Sequence, residues 1–157
     1  MIIKVLSSYN GDAYNAAVSL LQGRGHVIYT PRHLYCDLIV CPDYDVLLTP
    51  AELNGAIKGA LVFHPSPLPR MRGRNAIKRQ YAAGDKVGGG TWFWANEKVD
   101  AGDICEQEII LIDPAVRPRD YYNNRIIPLM IRTLERAMAG IEAGNARRVK
   151  VYGKTEG

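Results

Sequence analysis

The sequence has little of what marks several large functional classes. Its 157 residues contain three cysteines, Cys36, Cys41 and Cys105, an odd number without the paired spacing of a zinc site. A disulfide scaffold and a zinc finger are thereby excluded. Cys36 and Cys105 read as ordinary thiols of a reducing compartment, and Cys41, which ends an apolar run, as core. No run approaches the roughly 18 to 20 apolar residues that span a bilayer. The apolar opening Met1–Leu6 is too short for a secretion signal and has no small-residue cleavage site. No G-x-G-x-x-G follows the first strand-like segment, which argues against a dinucleotide. Zinc spacing, aromatic interleaving and a helix-turn-helix pattern are missing too, so nucleic acid finds little support as a partner. These absences point to a cytoplasmic protein with no membrane partner.

A hydrophobic fraction of 47% and a charged fraction of 23% are those of a globular chain, and the length suits one domain over residues 1–157. The net charge of +4 is unevenly placed. Arg147, Arg148 and Lys150 read as favourable charges closing the last helix. Arg70, Arg72, Arg74, Lys78 and Arg79 fit either a solvated face or a site for an anionic substrate.

Strand-like runs cover Ile2–Leu6, His26–Thr30, Asp37–Cys41, Ala60–Phe63, Gly90–Ala95 and Ile104–Ile112. Helices are expected from Ala13 to Gln22 with Asp12 as cap, over Pro50–Ala56 and over Asn75–Ala83. A long helix runs from Pro118 to Gly144, with Ile127, Met130, Ile131, Leu134, Met138 and Ile141 at helical spacing and Pro128 as a kink or true start. The alternation predicts an α/β fold, a Rossmann-like three-layer open sheet with helices on both faces. Only six residues separate the second and third strands, too few for a parallel crossover, so the N-terminal half reads as shortened.

Ligands in open α/β sheets bind at the carboxyl ends of strands. Three segments are placed there: Pro42–Thr49, His64–Gly73 and Asn96–Asp103. The middle one, His64-Pro65-Ser66-Pro67-Leu68-Pro69-Arg70-Met71-Arg72-Gly73, carries three prolines in its first six residues and predicts a stiff, extended loop that fixes one imidazole. The last contains Asp100-Ala101-Gly102-Asp103, an acidic turn whose carboxylate can orient a histidine and exchange its proton. Taken singly, the histidine reads as a packed or capping residue and the acidic segment as a plain turn.

Together the motifs resemble the 10-formyltetrahydrofolate-dependent formyltransferases. The His64–Gly73 loop is similar to that family's H-P-S-L-L-P-x-x-R-G. Gly84-Asp85, Gly89, Thr91 and Glu97-Lys98-Val99-Asp100-Ala101-Gly102-Asp103-Ile104 follow its N-G-D, G-V-T and D-E-G-L-D-T-G-D-I pattern in order and spacing. Asp37–Val40, Tyr44 and Leu47–Pro50 look like its D-L-I-V, G-Y and I-L-P-x segment. The resemblance implies the formyltransferase fold and transfer of a formyl group from 10-formyltetrahydrofolate to a small amine, with His64 and Asp100 catalytic and no metal. It implies a pterin crevice between Tyr44–Thr49 and Ala95–Asp100, with Tyr44, Val46, Leu47, Leu48, Asn96 and Val99 in contact. Ser66, Arg72 and Arg74 are the expected acceptor contacts, because Arg72-Gly73-Arg74 resembles the sugar-modifying branch and suits an anionic, nucleotide-linked amino sugar.

The family's Asn, two residues before the histidine, is Val62 here, which cannot donate to an oxyanion. Asn75 and Asn96 are nearby substitutes. The C-terminal extension of tRNA-directed members is also missing from this sequence, which argues against a tRNA substrate. Three readings stay open: a formyltransferase, a folate-binding or interaction protein with lost or reduced transfer, and a hydrolase releasing formate. A homo-oligomer is compatible with each.

Overall fold

The computed structural model describes residues 1–29, 35–96 and 102–151. Six strands form one sheet in the order β2-β1-β3-β4-β5-β6: β1 (Ile2–Ser7), β2 (Val27–Tyr29), β3 (Leu38–Asp43), β4 (Ala60–His64), β5 (Val87–Trp94) and β6 (Ile104–Leu111). Alternation along the strands sorts the side chains onto two faces. Ile3, Val5, Leu38, Val40, Leu61, Phe63 and Trp92 build the larger core with α1 (Asp12–Gly23) and α5 (Ile127–Glu142). Ile39, Cys41, Ala60 and Val62 point the other way, into a thinner layer closed by Leu48 and by Leu53 of α2 (Pro50–Asn54). The result is the expected α/β sheet with helices on both faces.

Several local expectations differ from the structure. The second and third strands are both parallel to β1, one on each side of it, so a parallel connection does exist. β2 has only three residues, about 10 Å of strand, which shortens the distance a parallel connection has to cover. Gly11, not Asp12, caps α1, and Asp12 sits inside the first turn. All three cysteines are buried and free. Arg147 and Arg148 lie beyond α5 in an extended segment: the Arg147 carbonyl accepts from Trp94 Nε1 at 2.8 Å, Arg148 stacks 4.0 Å from the Trp94 ring centre, and Val149 pairs with Ile104. They close the edge of the sheet rather than a helix.

The long helix is three pieces: α4 (Pro118–Tyr121), a π-helical turn (Tyr122–Ile126), and α5. Pro128, in the first turn of α5, has no N–H to donate back, and the wider turn directly before it absorbs that break. The buried stripe of α5 is Leu129, Met130, Thr133, Leu134, Ala137, Met138 and Ile141. Ile127 and Ile131, expected at its centre, flank it half-buried. Thr133 is tolerated inside because its hydroxyl donates to the Leu129 carbonyl at 2.8 Å.

Gly90 and Gly102 are among the glycines that close approach requires. A Cβ on Gly90 would stand 2.3 Å from Phe63 Cζ, where β5 passes under the core. A Cβ on Gly102 would stand 1.5 Å from the Trp94 carbonyl oxygen, where the chain re-enters the sheet beside the Trp94 N–H to Asp103 carbonyl bond of 2.8 Å. Gly90→Ala should therefore lower unfolding stability by about 1 to 3 kcal/mol through overpacking. Gly23→Ala, whose Cβ meets nothing within 4 Å, should change it by under about 0.5 kcal/mol. Urea titrations of the two variants against wild type check this.

Candidate active site

One cavity of about 700 Å³ lies over the thinner face of the sheet. Its floor includes Val62 and His64 from β4 and Phe93 from β5, with Ala95 and Asn96 just beyond. β5 runs antiparallel to β4, pairing Val62 with Phe93 and His64 with Thr91. β5 thus ends, at Trp94, at the edge of the sheet opposite His64, whereas the expectation put all three segments at one carboxyl edge. The site occupies a face of the sheet as well as its carboxyl edge.

His64 is only 6% exposed, yet it lines this cavity. Its Nε2 lies 2.6 Å from the Met71 carbonyl oxygen. A carbonyl can only accept, so Nε2 carries a proton in this contact.

The loop after His64 is not extended as expected. It folds into successive tight turns, with Ser66 N–H donating to the His64 carbonyl at 2.9 Å, Leu68 N–H to Ser66 at 3.1 Å and Arg70 N–H to Pro67 at 3.0 Å. Prolines remove competing donors, so the few remaining N–H groups close short rings. The buried hydroxyl of Thr91 donates to the Ser66 carbonyl at 2.7 Å, and accepts from Leu68 N–H at 3.1 Å and from Gln107 Nε2 at 2.9 Å. Gln107 also donates to the Leu68 carbonyl at 3.0 Å. Every hydrogen-bonding position of that hydroxyl is used. Arg70 forms a two-pronged pair with Asp85, holding that carboxyl below its usual range.

The apolar wall is the segment 44–49. Tyr44, Val46, Leu47 and Leu48 all line the cavity; Leu48 is buried, while Val46 and Leu47 remain 55% exposed. Thr49 and Glu52 form a reciprocal cap at the start of α2, with bonds of 3.1 and 2.9 Å, and so anchor the end of this wall.

The expected residues divide as follows. His64, Tyr44, Val46, Leu47, Leu48, Asn96 and Arg74 all line the cavity, as does Asn75. Ser66 and Arg72 do not; Ser66 is fully buried, and its hydroxyl donates to the Arg70 carbonyl at 2.5 Å. Val99 and Asp100 lie outside the described residues, as does the expected contact between Asp100 and His64.

Sequence reasoning missed a group at the far end: Tyr9, Asp43, Asp45 and Tyr122. Tyr9 follows β1 and Asp43 ends β3, neighbours whose connections lead to opposite sides of the sheet, which is where α/β sheets open a crevice. The missing signal was strand order. For Tyr122 a signal existed, because Pro128 implies a helix break and such wide turns are frequent at functional sites. Asp45 accepts from Ser8 Oγ at 2.6 Å and Tyr9 Oη at 3.1 Å, and these bonds lower its pKa. Burial pushes the Tyr122 phenol up to about 12. Burial also raises the Asp43 carboxyl, against a hydrogen bond from Ser7 that lowers it, and Oδ1 has no partner among the described residues.

A carboxyl whose pKa is raised on folding binds its proton more tightly in the native state, so ionisation weakens the fold. That penalty is absent below the ordinary value of 3.8 and grows as pH rises through the folded value. Asp43→Asn should therefore have a higher denaturation midpoint than wild type at pH 7, and the gap should close as pH approaches 4. Urea melts across this range are the measurement.

The geometry can be set beside known proteins. Residues 15–132 match the family model described as formyl transferase. The cytosolic 10-formyltetrahydrofolate dehydrogenase of Xenopus tropicalis is 39% identical over 124 residues, covering 79% of this chain and 14% of that protein. The methionyl-tRNA formyltransferase of Methylacidiphilum infernorum is 33% identical over 113 residues, 72% of this chain and 35% of that protein. A crystal structure of HypX from Aquifex aeolicus in complex with tetrahydrofolic acid superposes with a TM-score of 0.84 at 22% identity, covering 95% of this chain and 28% of that one. The chain thus spans a small part of these longer proteins, and it belongs to the formyl transferase family.

Proposed function

We propose that the cavity binds a formyl-bearing folate and that a small amine takes the formyl group there. The observation that carries this reading is His64, the match to the family's histidine, on the floor of one cavity whose apolar wall is the segment 44–49. The described walls suit a flat bicyclic ring. A volume of about 700 Å³ is that of a small-molecule site, and Val46, Leu47 and Leu48 offer apolar contact. Asn96 and Val99 would border the same ring on the opposite wall.

A bound formyl folate supplies an electrophilic formyl carbon. In the net exchange the amine nitrogen bonds that carbon and loses one proton, while one proton goes to the leaving folate nitrogen. His64, with Nε2–H given to Met71, takes up or returns a proton at Nδ1. Asp100 is the second proton-handling group in this reading. The amine approaches from the end holding Tyr9, Asp43, Asp45 and Tyr122, whose acidic oxygens favour positive charge. Arg74, on the same cavity, suits a phosphate such as that of a nucleotide-linked amino sugar.

Val62 favours a second reading, folate binding with weak transfer. Val62 faces Phe93 across the strand pair, so the family's Asn position is an apolar wall. Calorimetry with 5-formyltetrahydrofolate should give a micromolar dissociation constant, about −8 kcal/mol. No heat at millimolar ligand would remove both readings. Val62→Asn should raise kcat by about 10- to 100-fold, because an added donor acts on charge developed in the transition state. Folate binding with no transfer by either form to any amine tried would leave the binding protein.

A further inference from the structure

Two walls of the cavity are held in different ways. On the His64 side the support comes from within, where the fully buried Gln80 of α3 (Ala76–Ala82) donates to the Pro65 carbonyl at 3.0 Å. The wall at Asn96 lies just past the end of β5, where the β5–β6 ladder is already out of step: its register shifts between Trp92 and Phe93. Beyond that shift, Trp94 N–H donates to the Asp103 carbonyl at 2.8 Å. β6 is also the last strand of the sheet, so no further strand backs Ile104.

Residues 147–149 cover that side and grip both stems. Ile104 N–H donates to the Val149 carbonyl at 2.7 Å, and Val149 N–H to the Ile104 carbonyl at 2.8 Å. The Arg147 carbonyl accepts the Trp94 indole N–H at 2.8 Å, and the Arg148 guanidinium lies 4.0 Å from the centre of that ring. Arg147 Nη1 stands 3.6 Å from Glu106 Oε1, and Arg136 Nε of α5 stands 3.5 Å from Glu106 Oε2. Closing a sheet edge needs only the Val149–Ile104 pair. The indole bond and the stacked guanidinium are additional, and both fall on the residue two before Asn96.

The Trp94 side chain packs into the larger core, on the face of the sheet away from the cavity. Ala95 and Asn96, the next two residues, line the cavity, and none of residues 147–149 does. Any influence of this segment on a ligand must therefore pass through the backbone between Trp94 and Asn96. We propose that residues 147–149 are positioning residues: they fix the Trp94 and Ile104 stems, and through them the folate-binding wall at Asn96. The effect on affinity rests on the folate reading of the cavity; the hold on the stems does not.

The test joins amide exchange to folate binding. Val149→Pro removes the N–H that the Ile104 carbonyl accepts, at a position 43% exposed, so no core side chain is lost. Exchange of the Trp94 amide should speed up by about tenfold, the loss of one net hydrogen bond, while amides of β3 keep their wild-type rates. The dissociation constant for 5-formyltetrahydrofolate should rise by about tenfold in the same variant. Arg148→Ala keeps the backbone bonds, should change both readouts by about threefold, and serves as the milder variant if Val149→Pro does not fold. Lys150→Ala, one residue beyond the grip, should change neither. An unchanged Trp94 exchange rate in the folded variants would overturn the proposal. So would equal acceleration of the β3 amides, the mark of a purely structural role, and so would a loosened Trp94 amide with wild-type folate affinity. If wild type binds no folate yet Val149→Pro loosens the Trp94 amide alone, the functional reading fails and the hold on the stems stands.

Discussion

The site depends on the antiparallel pairing of β5 against β4. That register sets Thr91 opposite His64 and Phe93 opposite Val62. Thr91 then gives its one donor and one acceptor position to the turns that follow His64 and its other acceptor position to Gln107 of β6, so the sheet itself grips the proline loop. A parallel β5 would instead have ended at the carboxyl edge, on the side of His64. Here β5 ends at the other edge, and Asn96, just beyond it, lines the same cavity as His64. Two bare glycines of β5, Gly88 and Gly90, keep the opposite face low enough for Tyr121, Phe63 and Leu129 to pack.

How much of this was legible follows from the range of each interaction. Buried strands such as Asp37–Cys41 read well because both faces need apolar side chains, a purely local signature. The capping box at Thr49 and Glu52 is equally local, and α2 begins where Pro50 suggested. Strand order is not local. Nothing in residues 26–41 states that the second and third strands flank the first, so the spacing rule was applied to strands that are not neighbours. The turns of the proline loop were misread for a similar reason: proline sets φ, but the hydroxyl that folds the loop comes from Thr91, far along the chain.

The basic cluster shows the same limit at the level of the site. By composition, Arg70, Arg72, Arg74 and Arg79 are one patch of charge. In the structure Arg70 pairs with Asp85, Arg79 gathers backbone carbonyls, and Arg74 lines the cavity. A count of charges carries no direction, and direction is what separates an ion pair from a loop support or a ligand contact. The neglected end of the cavity was hidden by the reverse effect, since Tyr9, Asp43 and Tyr122 are ordinary residues in isolation that strand order and a wide helical turn bring together.

The two ends of the cavity differ in chemistry, and the ground between them limits what it can do. One end is aliphatic, at Val46 and Leu47; the other holds phenols and carboxylates at Tyr9, Asp45 and Tyr122. Between them on the floor lie Val62 and Phe93, neither with a hydrogen to give. Negative charge developing above that pair is poorly solvated by side chains of the strands, and in a low-dielectric setting an unmatched charge is expensive. Its stabilisation must come from groups that reach across. A neutral His64 keeps its proton on Nε2 for Met71, and in the proposed transfer its other ring nitrogen would serve as a base. Only as an imidazolium does it carry a donor on both nitrogens. Under the proposed formyl transfer, an apolar side chain at position 62 would leave the protonation of His64 with more of the burden than it would have beside an asparagine.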